Sequence, residues 1–392
     1  MDIKTLASTS SDGRVLNRGV IMDFSGKMAG ICYMKETLDE IMREPEERTL
    51  KRATNTLERK HHSVFGHESV TLYLEGIPKI LAMVLNNEKY YNTSEKSARY
   101  TEMQTSGLEE ELYFKWKEIF LSEISLKYSG MDVKMMSKLS YENARYFISV
   151  FTPSTNMAYS TSVQQLNYIV GWMNDYVAEV LARKTRPSDF EMRLTSVFSE
   201  FVTKLDPDLL IPGLTDPKGR RLSLFATRDR AEEWGENYST NYYGSFAQLA
   251  QVQRHRTLSY EFSFPDYEGT IKNNPGFYIP PLLYNGKYEK DWLTDAEKVF
   301  SNYPQGMMLK INERGTPENF ILKCSERLCG QVQLETCAQT LSTLSRYYHA
   351  TDNPEVAKYL EPYVNKPRCK SFEDICKRPC FWGPSQAFSR LV

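Results

Sequence analysis

The tripeptide Arg254-His255-Arg256 is the sharpest chemical feature of the sequence. It follows Gln251 in the stretch QVQRHRTLS, where an amphipathic pattern predicts the end of a helix. Guanidinium groups bind a phosphate or the carbonyl edge of a pyrimidine in a fixed planar geometry. The tripeptide therefore suits a phosphorylated cofactor or a nucleotide, although an isolated RHR is also typical of a solvated basic turn.

A second candidate lies in the stretch SEKSARY, where Glu95, Ser97 and Arg99 are two residues apart. In an extended or turn segment these side chains share one side. The hydroxyl and guanidinium suit a phosphate monoester, and the carboxylate suits a sugar hydroxyl or an ordering contact to the arginine. The same composition is also common on solvated surfaces.

Two further arginines lie on predicted helices. Arg145 ends the stretch ENAR, and Arg327 begins RLCGQVQLE, in which Gln333 and Glu335 follow. An isolated arginine on a helix is most often a surface ion pair.

Histidine and cysteine clusters raise the question of a metal. Three of the five histidines lie between His61 and His67, but their spacing does not match a helical metal pair. A buried, capping or ligand-binding role is therefore favoured. Cys369, Cys376 and Cys380, with Cys337 as a possible fourth thiol, fit no common zinc spacing. We expect reduced thiols and no metal.

Composition narrows the class of protein. The 392 residues suggest two domains of ordinary globular composition. A formal net charge of -1 argues against a nucleic-acid partner. No run of 18 apolar residues is present, so we expect no membrane span. The sequence shows no secretory h-region, and its seven cysteines are an odd number, so we expect reduced thiols in the cytoplasm.

The elements around these residues form a weak internal repeat. Residues 69–75 alternate as a half-buried strand, and residues 77–85 show one apolar helix face. A second amphipathic helix runs through residues 163–180. Prolines and glycines break both periodicities in residues 204–221, and a new helix then leads into the RHR tripeptide.

Taken together, these motifs resemble the flavin-dependent thymidylate synthase family. A first copy, over residues 22–182, carries KHHSVFGH, SVTLYLEGIPKILAMVL, SEKSARY, ENARYFI and QLNYI in the family's order. A second and weaker copy, over residues 240–340, carries QVQRHRTLS, FYIP and RLCGQVQLE.

Each copy departs from the family pattern where the other keeps it. In the first copy the RHR positions are Asn87, Glu88 and Lys89, the later arginine is Trp172, and a glutamate is Gly66. The second copy keeps RHR but replaces the NExSxRY tail with Glu261, Phe262, Phe264 and Asp266. The two copies are therefore expected to supply complementary halves of one composite site.

The resemblance implies a role for each matching residue. Catalysis, through charge on the pyrimidine, falls to Arg254 and Arg327. The flavin contacts are Ser63, Asn167, Arg254, His255 and Arg256. The dUMP contacts are Glu95, Ser97, Arg99, Arg145, Gln251, Arg254 and Arg327.

The resemblance also implies the architecture. The expected fold is α+β, with two tandem thymidylate-synthase-like domains that form a pseudo-dimer; two chains would rebuild the family tetramer. The pairing of halves within one chain or between two chains is left open. The expected boundaries are a flexible arm (1–21), a first domain (22–205), a linker (206–221), a second domain (222–350) and a cysteine-containing tail (351–392).

The implied reaction transfers a one-carbon unit from methylene-tetrahydrofolate to C5 of dUMP and gives dTMP. FAD is the implied cofactor, and NADPH is the implied reductant. Another C5 modification of dUMP, such as hydroxymethylation, is the alternative, as is a non-catalytic nucleotide-binding protein.

Overall fold

The computed structural model describes residues 1–9, 14–265, 276–372, 376 and 380–392, to which the structural statements below refer. Helices and antiparallel sheets occur together, which agrees with the α+β prediction. The strands are β1 (Asp2–Ser8), β2 (Ser69–Ile77), β3 (Asn92–Glu95), β4 (Thr155–Ser162), β5 (Glu233–Trp234), β6 (Tyr238–Ser245), β7 (Ser259–Ser263) and β8 (Met308–Gly315).

The helices vary from one turn to more than five. The α-helices are α1 (Arg18–Tyr33), α2 (Leu38–Met42), α3 (Glu46–Glu58), α4 (Lys79–Leu85), α5 (Gly107–Lys127), α6 (Val133–Ala144), α7 (Val163–Ala182), α8 (Asp189–Lys204), α9 (Phe246–Val252), α10 (Glu289–Val299), α11 (Pro317–Arg327), α12 (Leu334–Ala350), α13 (Pro354–Leu360), α14 (Arg368–Ser371) and α15 (Gly383–Gln386). Short 3₁₀ helices are His62–Gly66, Arg145–Phe147, Pro207–Leu209, Pro281–Leu283, Phe300–Asn302 and Glu361–Tyr363.

The first sheet has the antiparallel order β1-β2-β4-β3. Val70, Leu72 and Leu74 of β2 are buried on one face, which confirms the alternation predicted for this strand. The adjoining α4 differs from its prediction, because Ile80 to Leu85 are all buried instead of only one face. A helix buried on all sides is hydrophobic throughout, so periodicity could not reveal its second buried face.

The predicted flexible arm is corrected by the first strand. Residues Asp2–Ser8 pair with β2, with Ile3 opposite Leu74, and Arg18 already begins α1. A polar edge strand is held by its main-chain hydrogen bonds, which side-chain patterning does not report.

The second sheet repeats the order of the first. Its strands run β5-β6-β8-β7, again antiparallel throughout. In each sheet a strand leads to a short helix, then to an outer strand, and later to a central strand followed by another helix. A hydroxyl cap begins that last helix in both cases: Ser162 accepts from Gln165 N, and Thr316 accepts from Asn319 N.

The link between the short helix and the outer strand has the same length in both sheets. We call residues 86–91 the first connection and residues 253–258 the second connection. Each begins with the residue that closes the helix: Asn86 N donates to Ala82 O, and Gln253 N donates to Leu249 O. Asn87 and Arg254 therefore hold equivalent positions.

The chain forms two compact units whose limits differ from the predicted domains. The first unit comprises residues 1–96 and 155–222, and the second comprises residues 97–154 and 223–392. The segment 97–154, expected in the first domain, contributes Trp116 and Phe147 to an aromatic core with Trp292. The Trp116 and Trp292 ring centroids are 4.7 Å apart in an edge-on arrangement, which adds to the stability gained from their burial.

Several described residues of the expected linker and tail are buried. Within residues 206–221, Leu209 and Leu214 are buried in the first unit. Trp382, Arg390 and Val392, expected in a tail, are buried in the second unit. Their proline, glycine and charged residues predicted irregular segments. The buried side chains that anchor them are widely spaced single residues, which form no periodic pattern in the sequence. Within the described ranges, no helix has both the length and the apolarity needed to span a bilayer.

Candidate anion-binding site

The first cation of the site, Arg99, lies in the turn that follows residue 96. Ser97 begins this turn: its Oγ accepts from Arg99 N, and its main-chain oxygen accepts from Tyr100 N. The Arg99 side chain forms an ion pair with Glu142, and its Nη2 donates to Gln331 O at 2.6 Å. The turn thus directs a largely buried guanidinium toward the connection between α11 and α12.

Glu142 and Arg145 lie where α6 ends. Asp132 caps the start of this helix, and a 3₁₀ turn from Arg145 to Phe147 closes it. Burial raises the pKa of Glu142, but the charges of Arg99 and Arg145 outweigh burial and hold that pKa below its usual value. Glu142 is therefore ionised at neutral pH and balances one of the nearby cations.

Arg145 is buried, and its hydrogen bonds leave one nitrogen unmatched. Its Nη2 donates to Gln333 Oε1 at 2.7 Å, whereas its buried Nε has no protein partner. Burial lowers the pKa of Arg145, and the charge of Arg99 acts in the same sense. Arginine stays protonated in proteins, so the charge is held in an environment that disfavours it, and a bound anion would offset this.

A buried polar network supports Arg145 from behind. Gln333 Nε2 donates to Tyr146 OH at 2.7 Å, and Tyr146 OH donates to Glu335 Oε2 at 3.0 Å. Glu335 also accepts from Ser245 N and Ser245 Oγ, at 2.7 and 2.6 Å. Burial raises the pKa of Glu335 above its usual value. The network ties the start of α9 to the end of α6 and fixes the geometry of Gln333.

Arg327 supplies a further cation at the end of α11, where the helix dipole favours positive charge. Its Nη2 donates to Gln251 O at 3.4 Å, and its buried Nε has no protein partner. Burial lowers the pKa of Arg327; the neighbouring charges of Arg99 and Arg254 lower it too, against the opposing effect of Glu326. Arginines from both halves of the sequence therefore lie within electrostatic range in one unit of one chain.

The remaining residues of the second connection border this cluster. His255 is buried; its Nδ1 lies 3.3 Å from Glu326 Oε2, and its Nε2 has no protein partner. Gln251 Oε1 accepts from Thr336 Oγ1 at 2.9 Å. Arg256 is exposed. The RHR tripeptide thus combines an exposed cation with a buried, incompletely bonded imidazole.

Three predicted site residues lie in the first unit. Glu95 accepts from Lys79 Nζ and from Asn86 Nδ2. Ser63 is exposed in the 3₁₀ helix His62–Gly66. Asn167 is buried, and its amide is occupied within the protein: it donates to Val163 O and Leu209 O and accepts from Ile211 N. The structure therefore gives Asn167 an anchoring role that the sequence did not predict.

Two residues of the first half that depart from the family pattern, Trp172 and Glu88, are buried in the first unit. Trp172 is buried, and the Arg220 guanidinium lies 5.1 Å from its ring centroid. Glu88 of the first connection is buried as well. The first unit thus has a carboxylate at the position equivalent to His255, and an indole at the position that the motif comparison aligned with Arg327. Asp266, a departure in the second half, lies outside the described residues.

The clustered histidines make ordinary contacts with tyrosines. His61 Nδ1 lies 3.0 Å from Tyr33 OH, and His62 Nδ1 lies 2.9 Å from Tyr168 OH. Where the structure describes the chain, no three histidine, cysteine or acidic side chains are grouped to hold a metal.

Sequence reasoning missed several contributors to the site. Tyr146 and Gln331 were not identified, although Tyr146 directly follows the ENAR motif. Arg390 was also missed, although Arg390 Nη2 donates to Val332 O at 2.5 Å beside the acceptors of Arg99 and Arg145. A main-chain oxygen has no signature in the sequence. An arginine far along the chain can be assigned to the site only when the fold shows that it lies there.

A comparison with known protein families gives a match in the first half of the chain. Residues 25–179 match the family model described as thymidylate synthase complementing protein. No curated protein sequence matches the chain.

Solved structures give weaker likenesses. A flavin-dependent thymidylate synthase from Helicobacter pylori, complexed with FAD and dUMP, is 14% identical, with 55% of this chain and 100% of that chain covered and a TM-score of 0.30. A UMP/dUMP methylase from Streptomyces cacaoi, bound with 5-Br dUMP, is 14% identical, with 54% and 91% covered and a TM-score of 0.35.

Proposed function

We propose that this protein methylates C5 of dUMP, as flavin-dependent thymidylate synthases do. The proposal starts from the match of residues 25–179 to the family model described as thymidylate synthase complementing protein. The reaction takes its one-carbon unit from methylene-tetrahydrofolate and gives dTMP. NADPH supplies the reducing equivalents, and FAD is the cofactor.

One observation carries the proposal. Arg99, Arg145, Arg254 and Arg327 lie in one unit, and buried Nε atoms of two of them lack protein partners. Glu142 faces Arg99 and Arg145, and Glu326 faces Arg327, so two ionised carboxylates balance only part of the charge of these four cations. A nucleotide phosphate supplies the negative charge and the acceptor oxygens that such a group lacks.

The chain's residues then divide the work on dUMP. Arg99 and Arg145 hold the phosphate, which fixes the nucleotide by charge-assisted hydrogen bonds. Arg254 and Arg327 approach the pyrimidine and stabilise negative charge that develops on its carbonyl oxygens. Gln251, whose Oε1 is held by Thr336, positions the base. In this division the nucleotide lies across both halves of the sequence.

The second connection fits a phosphorylated cofactor. Exposed Arg256 and the unmatched Nε2 of buried His255 offer donors for FAD, together with Arg254. Flavin held there would supply the redox chemistry of the reaction. Ser63 stays a predicted flavin contact, whereas the occupied amide of Asn167 favours a positioning role.

The identical strand orders support a tandem duplication. When the strands of each sheet are numbered along the chain, both sheets have the spatial order first, second, fourth, third. Their helix-to-strand connections also have equal length. We infer that one ancestral domain was duplicated and that each copy then lost half of its site. A pseudo-dimer of this kind holds one FAD and one dUMP per chain, and two chains together form the homodimer.

Flavin stoichiometry tests the composite site. Purified protein reconstituted with excess FAD is expected to bind one flavin per chain, measured by absorbance against protein mass. A ratio near two would contradict the division of labour between the copies. A ratio near zero would favour a non-catalytic nucleotide-binding protein.

Product analysis tests the reaction. With dUMP, methylene-tetrahydrofolate and NADPH, the expected product is dTMP, identified by mass spectrometry. Formation of 5-hydroxymethyl-dUMP would instead assign the alternative C5 modification. Flavin and dUMP binding without any product would contradict the proposed activity and leave only nucleotide binding.

A further inference from the structure

The connection between α11 and α12, residues 328–333, gathers arginines from three distant parts of the chain. Gln331 O accepts from Arg99 Nη2 at 2.6 Å, and Gln333 Oε1 accepts from Arg145 Nη2 at 2.7 Å. Between these two acceptors, Val332 O accepts from Arg390 Nη2 at 2.5 Å. The path of this short connection therefore sets where both proposed phosphate ligands lie.

Arg390 binds three main-chain oxygens at once. Its Nη1 donates to Val392 O at 2.5 Å and its Nε donates to Ala387 O at 3.3 Å, in addition to the bond to Val332. The residue is only 3% exposed. A planar guanidinium with diverging donors can join three separate carbonyls, whereas a single ammonium on a flexible stem cannot hold all three in fixed geometry.

Trp382 fixes the same connection through packing. It is buried, and a Cβ added at Gly330 would lie only 2.7 Å from its Cδ1. Its ring also meets Tyr128 edge-on, with centroids 5.0 Å apart. The indole therefore covers the backbone of Gly330, and a side chain at that position would force it aside.

Arg390 also contributes to the charge of the site. Burial raises the pKa of Glu142, but Arg99 and Arg145, followed by Arg390, hold it below its usual value. The segment 380–392 is thus coupled to the arginine cluster through hydrogen bonds, packing and charge.

We propose that Arg390 is a positioning residue for phosphate recognition: it holds residues 328–333 in the path that places Arg99 and Arg145 around the phosphate of the nucleotide. This inference rests on the proposed function. Arg390 lies behind the connection and acts through it, so the substitution should weaken binding of the phosphate and leave binding of the base unchanged.

The test compares Arg390→Met with wild-type protein, both loaded with FAD. Methionine keeps much of the apolar stem and removes all donors. Titrations with dUMP and with deoxyuridine, which lacks the phosphate, are expected to show about tenfold weaker dUMP binding and unchanged deoxyuridine binding. Arg390→Lys should give an intermediate loss. Arg346→Met, which removes an exposed partner of Glu232 in the same unit, is the control and should change neither affinity.

Each result has a definite meaning. Equal losses for dUMP and deoxyuridine, or unchanged dUMP binding with FAD bound, would overturn the inference alone. Absence of dUMP binding by wild-type protein would overturn the proposed function and this inference with it. If Arg390→Met does not fold, Gly330→Ala displaces Trp382 more gently, and unchanged dUMP binding by that variant would equally refute the positioning role.

Discussion

The two helix-to-strand connections have the same length and place in their sheets, but they carry opposite chemistry. The first connection presents Asn87, Glu88 and Lys89, whereas the second presents Arg254, His255 and Arg256. Glu88 is buried in the first unit, and His255 is buried beside Glu326 in the second. Connections of equal length can therefore carry side chains that we propose to bind a ligand in one place and acidic or amide side chains in the other. Function follows the side chains and the cations around them.

A second contrast lies in the helix that follows the later central strand of each sheet. Arg327 ends α11 with a buried Nε that no protein atom bonds. Trp172, which the motif comparison aligns with it, is buried in α7 with Arg220 against its ring, and its Nε1 also has no protein partner. An unpaired donor on a buried cation costs more stability than an unpaired neutral N–H, whereas most of the indole is apolar and stabilises the unit through its burial. If this contrast reflects a division between binding and structure, matched substitutions in the two units should have opposite effects.

The largest effect is expected for Arg327→Ala. Loss of a preorganised cation beside developing charge should lower kcat on the order of 100- to 1,000-fold. Turnover of dUMP with methylene-tetrahydrofolate and NADPH measures the effect, with circular dichroism to establish the fold. Arg346→Ala, at an exposed ion pair in the same unit, is the control. Normal turnover by a folded Arg327→Ala protein would remove Arg327 from the catalytic group.

Arg99→Ala should mainly weaken substrate binding. The loss of a charged hydrogen bond costs about 1.5–3 kcal/mol, which is roughly 10- to 100-fold in dUMP affinity. Flavin affinity should persist. A titration that shows unchanged dUMP affinity would refute the assignment, and Arg99→Lys distinguishes the guanidinium fork from charge alone.

Glu142 gives the site a pH dependence in stability. Its folded-state pKa lies below the ordinary glutamate value of 4.5 because Arg99 and Arg145 outweigh burial. Its ionised form therefore stabilises the fold above about pH 4.5, and this contribution is lost as the pH falls through the lower folded pKa. Melting temperatures between pH 3 and 7, a range set by that value, should fall less steeply with acid for Glu142→Gln than for wild type. Parallel curves would contradict the ion pair's role.

The smallest effect on function is expected for Trp172→Phe in the first unit. The smaller ring should cost stability of about 1 kcal/mol or slightly more, because it leaves a void in a buried site. Affinity for dUMP and turnover per folded molecule should match wild type. A loss of dUMP affinity comparable to that of Arg99→Ala would show that the first unit's Trp172 also serves binding.

Most of the site's charged residues could be predicted from the sequence, and their supports could not. Short sequence motifs, recognisable by their residue types and order along the chain, contain Arg99, Arg145, Arg254 and Arg327. Their partners, such as Gln331 O, are main-chain atoms or residues far along the chain. The anchoring role of Asn167 likewise depends on Leu209 and Ile211, which periodicity marked only as part of a linker.

By itself, the sequence determined the alternating strand 69–75, the mixed helix and sheet class, and the residue types available for binding an anion. These follow from local periodicity and side-chain chemistry, which neighbouring residues express without the rest of the fold. Only the tertiary structure decided that segment 97–154 joins the second unit and that residues 2–8 form an edge strand. It also decided that Arg390 bonds Val332 beside the acceptors of Arg99 and Arg145. Such pairings depend on main-chain hydrogen bonds and aromatic burial between distant residues, so no local pattern specifies them.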